Sequence, residues 1–104
     1  MKAIVVLVTC ASLKEAKYIA EGLIKNKLAA CVNILEKVES IFRWQAKVET
    51  AGEVLLMIKS KKSILPKLIK LVKSRHSYKV PEIIAIPIIA GEKNYLRWLD
   101  ESLR

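Results

Sequence analysis

The chain has 104 residues, of which 53% are apolar, and a formal net charge of +9. That length suits a single domain spanning residues 1–104 with its own core. The apolar runs fall well short of the ~20 residues of a membrane span, and the start lacks a signal-peptide pattern, so we expect a cytoplasmic protein without membrane contacts. Its two cysteines are then expected to be free thiols.

The first half of the chain predicts a strand, a helix and a long hairpin. Residues 3–8 form an uninterrupted run of β-formers, as in a strand buried on both faces. Ser12 and Glu15 have capping-box spacing, and apolar residues then recur at helical spacing as far as Ile24. Residues 28–59 predict two long strands. Their local chemistry leaves two turns open, Gln45-Ala46 or Ala51-Gly52, of which the second has the better turn residues.

The second half predicts a basic helix, a strand and a terminal helix. Ser63 is the expected cap of the basic helix, and Pro66 is tolerated in its first turn. Residues 82–90 predict a strand that Pro87 confines to a sheet edge or a bulge, because proline cannot donate to a ladder. Asn94 is expected to cap the last helix, whose apolar side carries Tyr95, Trp98 and Leu99.

This order of elements, βαββαβ with one extra helix, predicts a ferredoxin-like α+β split sandwich. The positive charge does not by itself indicate nucleic-acid binding. Residues 61–79 contain seven basic residues and no acidic one, but the lysines lie away from the apolar stripe of the helix. That distribution is typical of a solvated helix face, and no nucleic-acid partner is predicted.

Several functions found on this fold are disfavoured by the residues. A soft-metal chaperone would carry Cys-x-x-Cys after the first strand, whereas Cys10 stands alone there. An acylphosphatase-like enzyme would need a phosphate-binding arginine in that loop, and no arginine precedes Arg43. An RNA recognition motif would place aromatic residues on the central strands, and the first strand has none. An oligomeric ligand-binding or sensor protein remains, and no enzymatic reaction is predicted.

The only histidine provides the most specific local signal. His76 lies at the end of the basic helix, six residues before Glu82 and a predicted strand. An imidazole and a carboxylate suit copper, zinc or another divalent cation. The same residues also suit a polar helix terminus and an ion pair at a subunit boundary, so the residues alone leave both interpretations open.

Five segments in order resemble the CutA divalent-cation tolerance family over essentially the whole chain. They are residues 28–34 (LAACVNI), 42–49 (FRWQAKVE), 53–59, 76–87 and 95–98 (YLRW). The resemblance implies a ferredoxin-like protomer in a tight homotrimer related to the PII signalling proteins. It also implies a link to copper and other divalent cations, without an established enzymatic reaction.

The resemblance also gives candidate sites. A position matching Cys31 is implicated in metal binding in the family, and Cys10 lies near an equivalent thiol, so the candidate metal ligands are Cys31, His76, Glu82 and Cys10. In a trimer, His76 and Glu82 of one chain could meet Cys31 or an aromatic residue of another. Strand edges and aromatic residues point to subunit contacts at Phe42, Trp44 and Trp98.

Two departures from the family pattern affect the backbone. Ser77 replaces a common proline after the histidine, and Gln45-Ala46 replaces a Glu-Gly hairpin tip. The resemblance moves the turn to Gln45-Ala46, where the absent glycine makes positive φ costlier, and makes residues 50–52 an expected bulge. The alternative function is a PII-like sensor that binds a small anion or a protein partner in subunit clefts, with Lys47, Lys59 and Lys79 as anion contacts.

Overall fold

The computed structural model describes residues 1–104 and confirms the predicted ferredoxin-like order of elements. Its strands are β1 (Ala3–Cys10), β2 (Cys31–Trp44), β3 (Lys47–Lys61) and β4 (Ile83–Pro87), and its α-helices are α1 (Leu13–Lys25), α2 (Leu65–Arg75) and α3 (Lys93–Ser102). A short 3-10 helix, Lys62–Ile64, precedes α2.

The four strands form one antiparallel sheet in the order β2-β3-β1-β4. β4 lies at an edge, as Pro87 predicted, and the strand ends at that proline rather than at Ala90. Pro87 is tolerated there because its pair with Ile4 needs no amide from position 87, and the next amide, that of Ile88, still donates to the Ala3 carbonyl at 3.0 Å. Both ends of the sheet order, β2 and β4, are edge strands.

One face of the sheet is covered by α1 and α2 and contains the core. Alternate residues of β1 and β3, including Val6, Val8, Leu56 and Ile58, are fully buried in a cluster of 13 residues. The helices contribute Ile19, Leu23, Leu68 and Val72 to that cluster, at the helical spacing expected of a buried stripe.

The other face, here called the open face, is also apolar, and α1 and α2 do not cover it; α3 contacts β3 at one end, where Asp100 pairs with Lys61. Because side chains alternate along a strand, the row Asn33, Met57, Leu7 and Ile84 crosses this face, one residue from each strand. Leu35, Ile84 and Ile86 are 40%, 51% and 47% exposed. Strand alternation therefore produces two apolar faces, of which only one is packed.

The long hairpin turns at Gln45-Ala46, as the resemblance predicted, and Trp44 pairs with Lys47. Both turn residues have positive φ, 49° and 64°, which is the conformation that costs a residue with a Cβ. The expected bulge at residues 50–52 is wrong, since Ala51 and Gly52 pair regularly with Ser40 and Glu39. The register shift lies in β2 instead, between Leu35 and Val38, where Lys37 has a φ of 61°.

The helix starts confirm one predicted cap and correct two. Ser12 Oγ accepts from the Glu15 amide at 3.2 Å at the start of α1. Ser63 caps nothing, because the chain enters α2 through the 3-10 helix and no side chain caps α2. At α3 the cap is Glu92, whose carboxylate accepts from the amides of Asn94 and Tyr95 at 3.0 and 2.9 Å; Asn94 is inside the helix.

Candidate functional site: the Cys10–Glu15–His76 cluster

Three potential metal ligands from distant parts of the chain converge at one end of the sheet. Cys10 ends β1, Glu15 lies in the first turn of α1, and His76 immediately follows α2. One ligand atom of each lies within 4.8 Å of the others. The fold thus brings together two of the four predicted ligands, Cys10 and His76, and adds Glu15.

Both ring nitrogens of His76 are hydrogen-bonded. Nε2 lies 2.7 Å from the Thr9 carbonyl oxygen, and since a carbonyl can only accept, Nε2 carries a proton. Nδ1 accepts from the Tyr78 amide at 3.0 Å. The ring is therefore held in one tautomer, and neither nitrogen has a free lone pair in this conformation.

Glu15 joins the start of α1 to the segment after α2. Its Oε2 accepts from the Ala11 amide at 3.1 Å, and its Oε1 accepts from the Ser77 amide at 2.5 Å. Partial burial would raise the pKa of the Glu15 carboxyl, but the hydrogen bonds from Ser77 and Ala11 outweigh it and lower that pKa. Glu15 is thus held as a carboxylate between two segments 62 residues apart in sequence.

The Cys10 thiol is in the opposite situation. Cys10 is fully buried, and burial, together with the nearby Glu15 and Glu53 carboxylates, raises its pKa to about 12. Tyr78 closes the neighbouring side: its hydroxyl donates to Glu53 Oε2 at 2.8 Å, and burial followed by that bond raises its pKa to about 12. The cluster therefore combines a protonated Cys10 thiol with a network of hydrogen-bonded polar side chains.

The donor set fits a divalent metal chemically, since one sulfur, one imidazole nitrogen and one carboxylate oxygen form a mixed set of the kind used for zinc and copper. In this conformation, hydrogen bonds to backbone groups already occupy both ring nitrogens of His76 and engage both oxygens of Glu15. Any ion bound by all three residues must displace the Tyr78 amide from His76, and the Thr9 carbonyl as well if it binds through Nε2, and it must displace the thiol proton. Three donors converge, but only the Glu15 carboxylate is already deprotonated, because the pKa of its carboxyl is lowered and that of the Cys10 thiol is raised.

The other two predicted ligands lie apart from this cluster. Cys31 starts β2 and pairs with Lys59, whose Nζ is 4.0 Å from the Cys31 sulfur and also donates to Asn33. Cys31 lies on the open face, whereas Cys10 faces the helices, so the sheet separates the two thiols. Glu82 is exposed just before β4 and is not among the converging ligands.

The three predicted anion contacts do not form one cluster in the protomer. Lys47 lies at the hairpin tip and Lys59 twelve residues further along β3, roughly 40 Å away at ~3.3 Å per residue. Lys79 is exposed in the segment after α2. The predicted interface residues Phe42, Trp44 and Trp98 are 42 to 50% exposed, and Trp98 stacks at a tilt on Tyr95 with ring centroids 5.5 Å apart.

Sequence reasoning missed Glu15, Tyr78 and Glu53 as members of this network. Glu15 carried a signal, because its capping-box spacing predicted that its carboxylate would reach back along the chain. It reaches Ala11 rather than Ser12, and its second oxygen is engaged by Ser77. That second bond is long-range and has no local signature.

None of the helices has the length and apolarity needed to cross a bilayer.

Comparison with known proteins assigns the chain to a family. A family model described as CutA1 divalent ion tolerance protein matches residues 4–102. The Divalent-cation tolerance protein CutA of Thermus thermophilus is 47% identical over 98 residues, covering 94% of this chain and 95% of that protein. Protein CutA 1, chloroplastic, of Oryza sativa is 48% identical over 101 residues, covering 97% of this chain.

The chain spans 57% of the rice relative's length, so the two proteins differ in extent. Among solved structures, the divalent cation tolerance protein Cut A1 from Thermus thermophilus superimposes with a TM-score of 0.95. That structure is 46% identical and the match covers 96% of this chain and 97% of the other. The family model and the Thermus thermophilus protein are named for divalent ion or cation tolerance, and none of these names is that of an enzyme.

Proposed function

The chain belongs to the CutA1 divalent ion tolerance family, and on that basis we propose that it is a homotrimeric protein that binds copper or another divalent cation. The observation that carries the cation proposal is the convergence of Cys10, Glu15 and His76 within 4.8 Å. A thiol, an imidazole and a carboxylate together supply the ligands that borderline metals prefer. The proposal concerns binding and the response to metal ions, not catalysis.

The closed hydrogen bonding of His76 makes cation binding a two-part event. The ion gains Nδ1 only when the ring gives up the Tyr78 amide, and it gains Nε2 only when the ring proton moves to Nδ1 and both bonds are lost. It gains the sulfur ligand only when the Cys10 proton leaves, so binding releases a proton and strengthens with pH. Cys31 and Glu82 can complete such a site only as residues of a neighbouring subunit or after a rearrangement.

The open face supports self-association. Apolar side chains from all four strands, among them Leu7, Leu35 and Ile84, lie on the open face, and edge strand β2 presents unpaired backbone groups along its length. Natural proteins cover such edges and faces. The number of subunits, three, follows from the family resemblance, with Phe42, Trp44 and Trp98 as proposed contacts.

Calorimetric titration with Cu(II) and with redox-inert Zn(II) tests the cation site. We expect the wild type and Cys31→Ala to bind alike, whereas His76→Ala and Glu15→Gln bind at least about tenfold more weakly. Glu15→Gln keeps only one of the two acceptor oxygens, so it loses the bond from Ala11 or from Ser77 together with the carboxylate ligand, and its fold is checked by circular dichroism. Identical isotherms for the wild type and His76→Ala would reject this site.

The nitrogen used can be identified by NMR of the backbone with Zn(II). Coordination through Nδ1 frees the Tyr78 amide and keeps the bond to the Thr9 carbonyl, whereas coordination through Nε2 moves the ring proton to Nδ1 and breaks both bonds. The Thr9 carbonyl resonance therefore shifts strongly only in the second case. A metal-saturated protein in which neither the Tyr78 nor the Cys10 amide resonance moves would show that the ion is bound elsewhere.

We also propose a cytoplasmic location, which free thiols at Cys10 and Cys31 suit. The rice relative is named chloroplastic, so the compartment varies within the family. Fractionation of the source cells, followed by immunodetection, tests this assignment directly.

A further inference from the structure

Two neighbouring cavities lie where β1 starts, at the opposite end of that strand from Cys10. They have volumes of about 510 and 430 Å³, and their walls share Met1, Lys2 and Lys62. Eight residues of β1 separate this end from the Cys10 end, or roughly 25 Å at ~3.3 Å per residue. We refer to the two cavities together as the amino-end cleft.

The first cavity is basic. Lys2, Lys61 and Lys62 line it together with the hydroxyl of Ser63, and the only acidic wall residue is Asp100. Asp100 is shared between Lys61, at 3.5 Å, and Arg104, at 3.0 Å. These are the only ion pairs in the protein, so Lys2 and Lys62 have no acidic partner. The cavity therefore retains positive charge that an anion can neutralise.

The second cavity is mainly aliphatic. Seven of its ten wall residues are hydrophobic, among them Pro87, Ile88, Ile89 and Leu96. Ile89 is 95% exposed, so its side chain makes little contact with the rest of the protomer. Leu96 and Asp100 are one turn apart on α3, so this helix presents an apolar side chain to one cavity and an acidic one to the other.

We propose that the amino-end cleft binds a small amphipathic anion: a phosphate group held by Lys2 and Lys62, attached to an apolar body that packs between Ile89 and Leu96. The charge of the first cavity, the apolar wall of the second and their shared lysines carry the proposal. Each volume is within the range of about 300 to 1,000 Å³ that is usual for small-molecule sites. The site is independent of the proposed cation site, with which it shares no residue.

Phenyl phosphate tests the cleft, with inorganic phosphate and phenol as its two halves, by calorimetry on the assembled protein. We expect phenyl phosphate to bind about tenfold or more tightly than either half, because only it occupies both cavities. Lys62→Ala, in the shared wall, weakens phenyl phosphate binding by about tenfold, as expected for losing one hydrogen bond to a charged group. Lys70→Ala removes the same charge from the exposed side of α2 and leaves binding unchanged.

Ile89→Ser separates the two halves of the cleft. It should weaken phenyl phosphate about threefold or more while leaving the affinity for inorganic phosphate unchanged, because that side chain lines only the apolar cavity. Equal effects of Lys62→Ala and Lys70→Ala would reduce the cleft to general charge attraction and overturn the proposal. The proposal would also be overturned if phenyl phosphate bound no more tightly than inorganic phosphate. A change of oligomer mass in Ile89→Ser would overturn it as well, because Ile89 would then be a subunit contact.

Discussion

The two faces of the sheet are built from the same strands but differ in burial. On β1 and β3, the even-numbered residues Val6, Val8, Leu56 and Ile58 are fully buried under α1 and α2. The odd-numbered residues between them are equally apolar, and their neighbours Ile84 and Ile86 on β4 are about half exposed. The helix-covered face supplies the packing that holds the protomer together, and the open face supplies apolar surface available for another chain.

The two ends of β1 show a second contrast. Around Cys10, the nitrogens of His76 and the oxygens of Glu15 are paired with backbone groups that fix the start of α1 and the segment after α2. Around Lys2 and Lys62, charge is left without acidic partners. The Cys10 end must break bonds to receive a ligand, whereas the amino-end cleft is open to one.

The largest expected effect is a cavity in the helix-covered face. Leu56→Ala should lower the free energy of unfolding by about 2 to 5 kcal/mol, because the methyl groups removed are fully packed. Denaturant titration followed by circular dichroism measures it. The comparison is Ile84→Ala on the open face, which should cost less; a larger loss there would make the open face the principal core of the assembled protein.

The next prediction concerns assembly. Ile84→Asp should shift the protein to smaller species in light scattering with its circular dichroism retained, because a charge on the open face opposes burial against another chain. Ile24→Asp is the matched control: Ile24 is 45% exposed, similar to Ile84, but lies on α1. If Ile24→Asp alone reduced the mass, subunits would associate through the helix layer.

Trp44→Asp tests the hairpin separately from the sheet. Trp44 is half exposed beside the Gln45-Ala46 turn, far from the core. The substitution should reduce the assembled mass without a marked change in the protomer fold. A light-scattering mass equal to that of the wild type would remove Trp44 from the proposed subunit contacts.

The sequence predicted the order of elements because hydrophobic period is a local property. Strand alternation and helical spacing match the observed elements in nearly every segment. The edge position of β4 follows from the missing N–H of Pro87. The β2 irregularity could not be predicted, since Lys37 has no turn chemistry and Gly52, which does, pairs regularly. In the site, ligand chemistry pointed to His76 and the family resemblance to Cys10, but Glu15 joins them through a bond to Ser77 across 62 residues.

A smaller effect is expected where α1 meets α2. Arg75 lies over the Tyr18 ring at 4.2 Å and donates to the Tyr18 carbonyl at 2.7 Å, and a Cβ on Gly22 would come within 2.6 Å of its guanidinium. Gly22→Ala gains up to about 1 kcal/mol of helix propensity but displaces Arg75, for a net loss of about 0.5 to 1 kcal/mol.

The Arg75→Ala background reverses that sign. Without the guanidinium, Gly22→Ala should stabilise the protein by up to about 1 kcal/mol, which thermal and denaturant unfolding of the double-mutant cycle measures. Gly52→Ala, with no atom within 4 Å of its added Cβ, should change stability by less than ~0.5 kcal/mol. Destabilisation by Gly22→Ala in both backgrounds would show that α1 and α2, not Arg75, obstruct the methyl group.

The smallest effect separates the predicted cap of α3 from the observed one. Hydrogen bonds from the Asn94 and Tyr95 amides lower the pKa of the Glu92 carboxyl. Its contribution to stability is therefore present above the unfolded pKa and lost as the pH falls through the lowered folded pKa. Glu92→Ala should lower stability at neutral pH and converge with the wild type in acid, whereas Asn94→Ala should change little at any pH. Equal pH profiles for the wild type and Glu92→Ala would mean that water satisfies the Asn94 and Tyr95 amides, and that buried Leu99 and the Asp100–Lys61 ion pair hold this helix in place.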